Sequence, residues 1–173
     1  MKTLYLMRHA KSDWSGMLVS DQDRILNERG RDAADLIGQK LAAAGFAPDA
    51  VLCSTAQRTR ETLSRVMEAG GFDWQPQFEQ SLYGASASTL LATVRAAPPS
   101  ASCILLVCHN PGIQDLALIL SEDSGGDRRR LIQRKVPAGA FIGLEFEGDS
   151  FDGVIPGTGA ITHFLRPKHE FLQ

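Results

Sequence analysis

The sequence predicts a three-layer α/β/α sandwich with a mostly parallel central sheet. Short apolar runs alternate along the chain with helical patterns, and this alternation is typical of α/β domains. The most apolar short run, Cys103–Cys108, lacks polar–apolar alternation, which indicates a central strand covered on both faces. The length of 173 residues suits one compact unit with a sizeable core. We therefore expect residues 1–173 to form a single α/β domain.

One strand and one amphipathic helix open the predicted fold. Thr3–Met7 is a short apolar run and predicts the first strand. Asn27 has the side chain of an N-cap and predicts a helix that runs to about Ala44, where Gly45 stops it. The core face of this helix consists of four apolar side chains at helical spacing: Ala33, Ala34, Ile37 and Leu41.

A second strand and helix follow directly. Ala50–Cys53 predicts a short strand, and a helix from about Ala56 to Ala69 comes immediately after it. Gly70-Gly71 breaks this helix. The segment Gln75–Phe78 then predicts another short strand.

Two further helices flank the central strand Cys103–Cys108. Ser86 or Ser88 caps the first of them, and Pro98-Pro99 ends it. The second begins at Pro111, because proline is tolerated in the first turn of a helix.

The C-terminal part of the chain predicts antiparallel pairing. Phe141–Phe146 and Ala160–Phe164 alternate like strands, and a glycine-rich turn region joins them. The end of an otherwise parallel sheet is therefore expected to be antiparallel.

The charge balance argues against whole classes of partner. A net charge of -2, with 43% hydrophobic and 22% charged residues, is ordinary for a soluble globular protein. It provides no general attraction to nucleic acid or to an anionic membrane, so we expect neither as a partner. The basic run is Arg128-Arg129-Arg130, with Arg134 and Lys135 nearby. We expect it to be a solvated loop, with docking of an acidic protein or a nucleotide as the alternative.

Cysteine and histidine usage predicts a reducing compartment and no metal. Cys53, Cys103 and Cys108 lie in or beside strand-like apolar segments, and their odd count indicates reduced, buried thiols. The N-terminus has no secretory pattern and no apolar run reaches membrane-spanning length, so we expect a cytoplasmic protein. No CxxC or HxxxH spacing occurs among the residues, so we expect neither a metal nor another cofactor.

Cation-capable side chains follow three of the predicted strands. Arg8-His9 ends the first strand, Arg58 follows the second at a helix N-terminus, and His109 ends the central strand. Ligands of α/β sheets bind outside the carboxyl ends of the strands, and helix N-termini favour anions. Arginine offers paired N–H donors to phosphate oxygens, and a neutral histidine can attack phosphorus. The sequence therefore predicts a phosphoryl-binding site at this edge of the sheet.

Several neighbouring residues are open to two interpretations. Lys11 and Ser12 are equally consistent with phosphate ligands and with ordinary loop residues. Trp14 and Tyr83 could line the pocket, although buried core aromatics are commoner. His163 and His169 are expected to pack or to lie on the surface rather than to act in chemistry.

Four motifs in order give the chain a family resemblance. The Arg-His pair, the second motif and the second histidine resemble the histidine phosphatase (phosphoglycerate mutase-like) superfamily: Leu6–Ala10, Ser54-x-x-x-Arg58-x-x-x-Thr62 and His109. More narrowly, four segments resemble the SixA-type phosphohistidine phosphatases: residues 8–14, 26–30, 82–85 and 109–112. The similarity extends from Leu4 to Lys168, although Cys108 stands where these proteins often have glycine.

The resemblance implies a fold and a mechanism. It implies a phosphoglycerate mutase-like fold, without a large cap insertion because the interval from Arg58 to His109 is short. His9 would be the nucleophile and become phosphohistidine, while Arg8, Arg58 and His109 would hold the phosphoryl oxygens. Water would then hydrolyse the phosphoenzyme, and the arginines would provide the charge neutralisation that a metal ion supplies elsewhere.

The sequence offers several candidates for the general acid. Ester substrates need a proton on the leaving group, usually from a carboxylic acid. Glu79 is the first candidate, with Asp21 or Asp23 after it. A phosphohistidine leaves more readily, so the lack of a clear acid favours phosphoramidate substrates.

The sequence is therefore consistent with three functions. The first is a phosphohistidine phosphatase acting on phosphorylated proteins, such as histidine-containing phosphotransfer domains of signalling relays, and working as a monomer. The second is a phosphomonoesterase acting on a small phosphorylated metabolite, such as a sugar phosphate or a nucleotide. The third is a phosphate-binding module without turnover, which the presence of all four core residues disfavours.

Overall fold

The computed structural model describes residues 1–14, 19–124 and 126–167. Its strands are β1 (Lys2–Arg8), β2 (Ala50–Ser54), β3 (Gln77–Glu79), β4 (Cys103–Cys108), β5 (Phe141–Phe146) and β6 (Ala160–Leu165). Its helices are α1 (Glu28–Ala43), α2 (Gln57–Gly70), α3 (Ala87–Arg95), α4 (Gly112–Leu120) and α5 (Gly126–Arg134). Short 3-10 turns occur at Asp21–Asp23, Gln80–Leu82 and Phe151–Gly153.

The strands form one mixed sheet in the order β3-β2-β4-β1-β5-β6. The strands β3, β2, β4 and β1 run parallel, whereas β5 and β6 pair antiparallel at one side. This arrangement confirms the predicted α/β sandwich with a mostly parallel sheet and an antiparallel end. Because β2, β4 and β1 are parallel neighbours, their carboxyl ends lie along the same edge of the sheet.

Two apolar cores lie on opposite faces of the sheet, and the central strand β4 contributes to both. Ile104 and Leu106 pack with residues of α3, α4 and α5, whereas Leu105 and Val107 pack with residues of α1 and α2. None of these four side chains is more than 1% exposed. Burying each stabilises the fold by about 1.5–3 kcal/mol, which explains why this run is uniformly apolar.

The start of α1 is fixed to the loop that follows β1. The side chain of Asn27 accepts a hydrogen bond from the Gly30 amide at 2.8 Å, which confirms the predicted N-cap. The Asn27 amide donates to the Lys11 carbonyl at 3.0 Å. Gly30 is required for this approach, because a Cβ atom there would lie 2.1 Å from the Lys11 carbonyl oxygen. The helix therefore supports the segment that carries His9.

The expectation of a solvated loop in the basic run is wrong, because these residues form α5. Ile132 is fully buried and Leu131 packs against the core. The Arg129 guanidinium donates to the Ser121 hydroxyl at 3.1 Å and to the Leu118 carbonyl at 3.3 Å, which ties α5 to α4. A single adjacent apolar pair provides no helical period in the sequence, so the periodicity missed this helix.

Two predicted boundaries shift. The helix α4 begins at Gly112, and Pro111 occupies its N-cap position after a cis Asn110-Pro111 peptide bond. The short strand predicted at Gln75–Phe78 lies at Gln77–Glu79 instead. All three residues of β3 are exposed, so no buried face marked its position in the sequence.

The cysteines differ in burial. Cys53 and Cys108 are buried, whereas Cys103 is partly exposed, which corrects the expectation that all three are buried. All three are free thiols. Lys168 and His169, which the sequence analysis named, lie outside the described residues. Within the described ranges, no helix has the length and apolar composition needed to cross a bilayer.

Candidate active site

The two histidines named from the sequence lie side by side at the carboxyl edge of the sheet. Arg8 pairs with Cys108 in the parallel register of β1 and β4. The next residues, His9 and His109, therefore leave neighbouring strands at the same level, and their ring centroids are 5.4 Å apart. The backbone amide of His9 donates to the Cys108 carbonyl at 3.2 Å, which fixes this juxtaposition.

His9 is held as a neutral imidazole with one defined free nitrogen. Its Nδ1 lies 2.8 Å from the Ala10 carbonyl oxygen, which can only accept, so Nδ1 carries the proton. The lone pair is therefore on Nε2. Burial lowers the pKa of His9 to about 3, and the nearby His109, Arg58 and Arg8 act in the same direction. The Ala10 carbonyl opposes this shift but does not cancel it, so His9 is a neutral imidazole at neutral pH.

Arg8 lies beside His9 with one donor unused. Its Nη1 donates to the Val136 carbonyl at 2.8 Å. Its Nε is buried and has no hydrogen-bond partner among the described residues. Burial, followed by the charge of Arg58, lowers the pKa of Arg8. A bound anion would remove both the unsatisfied donor, which costs about 1–3 kcal/mol, and the repulsion between the two guanidinium groups.

Arg58 reaches the same place from the first turn of α2 and is 6% exposed. Its Nη2 pairs with the Asp21 carboxylate at 3.0 Å, and its Nη1 donates to the Asp21 carbonyl at 2.6 Å. In the described part of the chain, its buried Nε has no partner. A cation in a first turn opposes the helix dipole, so this placement does not serve helix stability.

Asp21 is a contact of the site that the sequence analysis considered only as a secondary candidate acid. The Tyr83 hydroxyl donates to its Oδ2, which also pairs with Arg58, and Arg24 pairs with its Oδ1 at 3.1 Å. The Tyr83 hydrogen bond, together with Arg58 and Arg24, lowers the pKa of Asp21 to about 2. Asp21 is therefore a carboxylate at neutral pH, and it neutralises Arg58.

His109 is also neutral and has a partner that fixes its ring. Its Nε2 lies 2.8 Å from the Ser54 hydroxyl, and the Ala56 amide donates to that hydroxyl at 3.3 Å. Burial, followed by the charge of Arg58, lowers the pKa of His109 to about 4, against an opposing effect of Asp21. Its Nδ1 is buried and unpaired within the described residues. The Tyr83 ring lies 5.5 Å from the His109 ring, so this tyrosine lines the site.

The spacing of the second motif follows from the contacts of α2. Ser54 ends β2 and contacts His109, Arg58 lies in the first turn of α2, and Thr62 lies one turn further along. The Thr62 hydroxyl accepts from the Ala10 amide at 2.9 Å and donates to the Arg58 carbonyl at 2.7 Å. Thr62 therefore joins the loop that carries His9 to the helix that carries Arg58.

Three predicted site residues are not brought to the group around His9 by any contact within the described residues. The Ser12 hydroxyl donates to the Ile25 carbonyl at 2.7 Å. The Lys11 side chain is exposed, and its carbonyl binds the start of α1. Glu79 is exposed at the end of the outer strand β3. Their suggested roles as phosphate ligands and general acid stay predictions.

The donors around His9 have one chemical use in common. Among the described residues, four side-chain nitrogen atoms are buried without a hydrogen-bond partner, and three belong to Arg8, Arg58 and His109. Buried polar nitrogens are nearly always paired, so three of them together mark a position for a polar ligand. The two guanidinium Nε atoms are donors, which suit a ligand with several acceptor oxygens. The arrangement suits a phosphoryl group next to the free Nε2 of His9. No cluster of three or more metal-ligating side chains occurs in the ranges that the structure covers.

Comparisons with known proteins give the relatives of this chain. The sequence profile of the histidine phosphatase superfamily (branch 1) matches residues 4–83. An uncharacterised protein of Mycobacterium tuberculosis is 36% identical over 164 residues, which span 94% of this chain and 100% of that protein.

Solved structures extend the similarity to the whole fold. A protein from Nakamurella multipartitia, provisionally named phosphohistidine phosphatase SixA, has a TM-score of 0.82 and 34% identity, with 96% of each chain covered. A protein from Agrobacterium tumefaciens with the same provisional name has a TM-score of 0.78 and 27% identity, with 96% of this chain and 98% of that chain covered. The chain belongs to the histidine phosphatase superfamily and, within it, to the SixA type.

Proposed function

We propose that this protein is a phosphatase that transfers a phosphoryl group to Nε2 of His9 and then to water. The observation that carries the proposal is the state of His9: a neutral ring, held through Nδ1, whose neighbours Arg8, Arg58 and His109 each have a buried side-chain nitrogen without a partner among the described residues. A nucleophilic nitrogen and preorganised donors for the oxygens are the two requirements of phosphoryl transfer without covalent help from a cofactor.

The reaction balances in two steps. In the first, the Nε2 lone pair of His9 forms a bond to phosphorus while the bond from phosphorus to the leaving nitrogen breaks. The leaving imidazole keeps that electron pair and departs neutral, because its other nitrogen is protonated. In the second, a water oxygen bonds to phosphorus, the bond to Nε2 breaks, and hydrogen phosphate and a proton are released. His9 returns to its neutral form.

Arg8, Arg58 and His109 have the role of holding the equatorial phosphoryl oxygens in both steps. The negative charge stays on these three oxygens during transfer, and the oxygens move little. Donors in fixed positions can therefore stabilise the transition state without moving themselves. One such donor contributes about 3–4 kcal/mol in acyl-transfer enzymes. We infer that these cations make a metal ion unnecessary.

The proposed substrate is phosphohistidine on a signalling protein, such as a histidine-containing phosphotransfer domain. Two observations support it. Among the described residues, the contacts around His9 include no carboxylic acid placed to protonate an ester oxygen, since Asp21 is ionised and Glu79 is exposed. The connection between α2, which carries Arg58, and β4, which precedes His109, holds one short strand, one 3-10 turn and one helix and no large cap, which suits a protein substrate. The free cysteines support a cytoplasmic location.

A substrate panel tests this proposal. Initial rates are measured with a phosphorylated histidine-phosphotransfer domain and with phosphate esters of sugars, nucleosides and serine. We expect the phosphohistidine protein to be hydrolysed with the highest kcat/KM, and His9→Ala to remove that activity. The matched control His163→Ala should retain it, because His163 lies on β6 and packs against Phe46, away from the site. A strong preference for esters would show a phosphomonoesterase instead, and binding of phosphate without turnover would show a binding module.

A further inference from the structure

The helix α5 and the residue after it carry an excess of positive charge. Residues 126–135 contain five cations and one carboxylate, in a chain whose net charge is -2. Arg129 is committed to hydrogen bonds with α4. The other four cations are exposed, and they are here named the α5 basic patch: Arg128, Arg130, Arg134 and Lys135.

The α5 basic patch adjoins the candidate active site through the chain itself. Lys135 directly precedes Val136, whose carbonyl accepts from Arg8 at 2.8 Å and from the Asn110 amide group at 3.3 Å. Three residues further on, the Gly139 amide donates to the His9 carbonyl at 2.8 Å. The segment that leaves α5 is therefore one wall of the site, and the patch begins next to that wall.

Stability of the helix accounts for only part of this charge. Cations at the C-terminal end of a helix interact favourably with its dipole, and this effect explains the positions of Arg134 and Lys135. Arg128 lies in the first turn, where the dipole disfavours a cation. Arg130 pairs with Asp127, but within the described ranges no carboxylate pairs with Arg128, Arg134 or Lys135. Three exposed positive charges are thus left for a partner.

The charge distribution selects the class of partner. Outside this patch the chain carries net negative charge. A long polyanion or a flat anionic membrane would extend past the patch and be repelled by that negative charge. A protein with a local acidic surface avoids that repulsion. At 1.5 Å per residue, Arg128 and Arg134 are about 9 Å apart along the helix, a span that fits the polar rim of a protein interface.

We propose that the α5 basic patch docks an acidic surface beside the phosphohistidine of the protein substrate. The proposal rests on the proposed function and adds the chemistry by which the partner is chosen. Complementary charge of this kind accelerates encounter and orients the partner, whereas the transfer step at His9 is unaffected. Exposed charges act mainly at low ionic strength, because salt screens them beyond about 8–10 Å.

The test is charge reversal with a matched control. Lys135→Glu and the double variant Arg134→Glu/Lys135→Glu change the patch. Lys40→Glu changes net charge as much as Lys135→Glu does, but it lies in the last turn of α1, which leads to the opposite edge of the sheet. Each is assayed with a phosphorylated histidine-phosphotransfer domain whose surface is acidic, and with phosphoramidate as a small substrate.

At low ionic strength we expect Lys135→Glu to lower kcat/KM for the protein substrate about 10-fold, within the range of steering effects, and the double variant to lower it further. Activity on phosphoramidate should stay within about 2-fold of wild type, since its encounter does not need the patch. Added salt should reduce the difference for the protein substrate.

Equal kcat/KM values for Lys135→Glu and Lys40→Glu on the protein substrate would overturn the docking proposal and leave the proposed function intact. Loss of phosphoramidate hydrolysis in the patch variants would also overturn it, since that result assigns Lys135 to the site. Binding of single-stranded RNA or of phosphatidylserine vesicles that these variants abolish would assign the patch to another partner. No hydrolysis of either substrate by wild type would overturn both proposals.

Discussion

At the scale of single residues, Arg58 has two tasks that use different atoms of one guanidinium group. Its terminal nitrogens bind Asp21, and its Nε is buried and unpaired within the described residues. The planar fork holds these donors in fixed directions. Asp21 thereby neutralises the cation on one side and leaves a donor for an anion on the other. Lysine has the same charge but a single nitrogen, so it cannot satisfy both.

Arg58→Lys should therefore reduce activity although the charge is retained. We expect kcat/KM for the best substrate to fall about 100-fold, the loss seen when one transition-state donor is removed. Arg60→Lys is the matched control on the same helix, because Arg60 donates to the Thr55 carbonyl and lies over the Phe78 ring. Its kcat/KM should change less than about 3-fold. Similar losses in both variants would argue that Arg58 acts only as a general cation of α2.

At the scale of elements, the site depends on how α1 and α2 hold the loop after β1. Thr62 of α2 binds the Ala10 amide, and the first turn of α1 binds the Lys11 carbonyl. The loop that carries His9 is thus fixed between two helices. The tight contact at Gly30 is part of that arrangement, since its surroundings leave no space for a side chain.

Gly30→Ala should destabilise the protein despite the better helix propensity of alanine. Propensity alone would favour alanine by about 1 kcal/mol, but the Cβ atom would meet the Lys11 backbone and force it to move. Such overpacking costs about 1–3 kcal/mol, so we expect a net loss in the free energy of unfolding in urea. Gly153→Ala is the control, because no atom lies within 4 Å of a Cβ there and its φ is not positive. An unchanged or higher stability of Gly30→Ala would contradict the contact.

The sequence predicted those elements whose burial leaves a pattern and missed those held by contacts between distant segments. Cys103–Cys108 has the predicted bounds because both of its faces are buried. The helix α5 was missed because its apolar side chains are few, and β3 was displaced because all of it is exposed. The same holds for the site. His9 and its partners Arg8, Arg58 and His109 lie at or after three strand ends, which the sequence indicates. The contact of Asp21 with Arg58 instead joins a 3-10 turn to α2. No local periodicity predicts such a contact.

At the scale of the whole molecule, the site lowers stability in acid. The pKa values of His9 and His109 fall from an ordinary 6.5 to about 3 and about 4 in the folded state. The unfolded chain therefore binds more protons than the folded chain between pH 6.5 and 4. Above pH 6.5 both histidines are neutral in the folded and the unfolded chain, and the free energy of unfolding has its full value. It falls as the pH is lowered through this range, because protons bind the unfolded chain first. Asp21, with its pKa lowered from 3.8 to about 2, loses its contribution only below this window.

Urea unfolding of wild type should show this acid dependence. We expect the free energy of unfolding to fall between pH 6.5 and 4 by up to about 1.4 kcal/mol per pH unit for each histidine. The double variant His9→Asn/His109→Asn should have a flatter profile over the same range. Equal slopes for the two proteins would mean that neither histidine is held neutral by the fold.

Trapping of the phosphoenzyme shows whether His9 accepts the phosphoryl group. Wild type is mixed with phosphoramidate labelled with ³²P, quenched in alkali to preserve phosphohistidine, and analysed by mass spectrometry of its peptides. His9→Ala and His163→Ala are treated in the same way. We expect label on the peptide that contains His9 in wild type and in His163→Ala, and none in His9→Ala. Label that persists in His9→Ala, or that lies on another residue of wild type, would contradict this expectation.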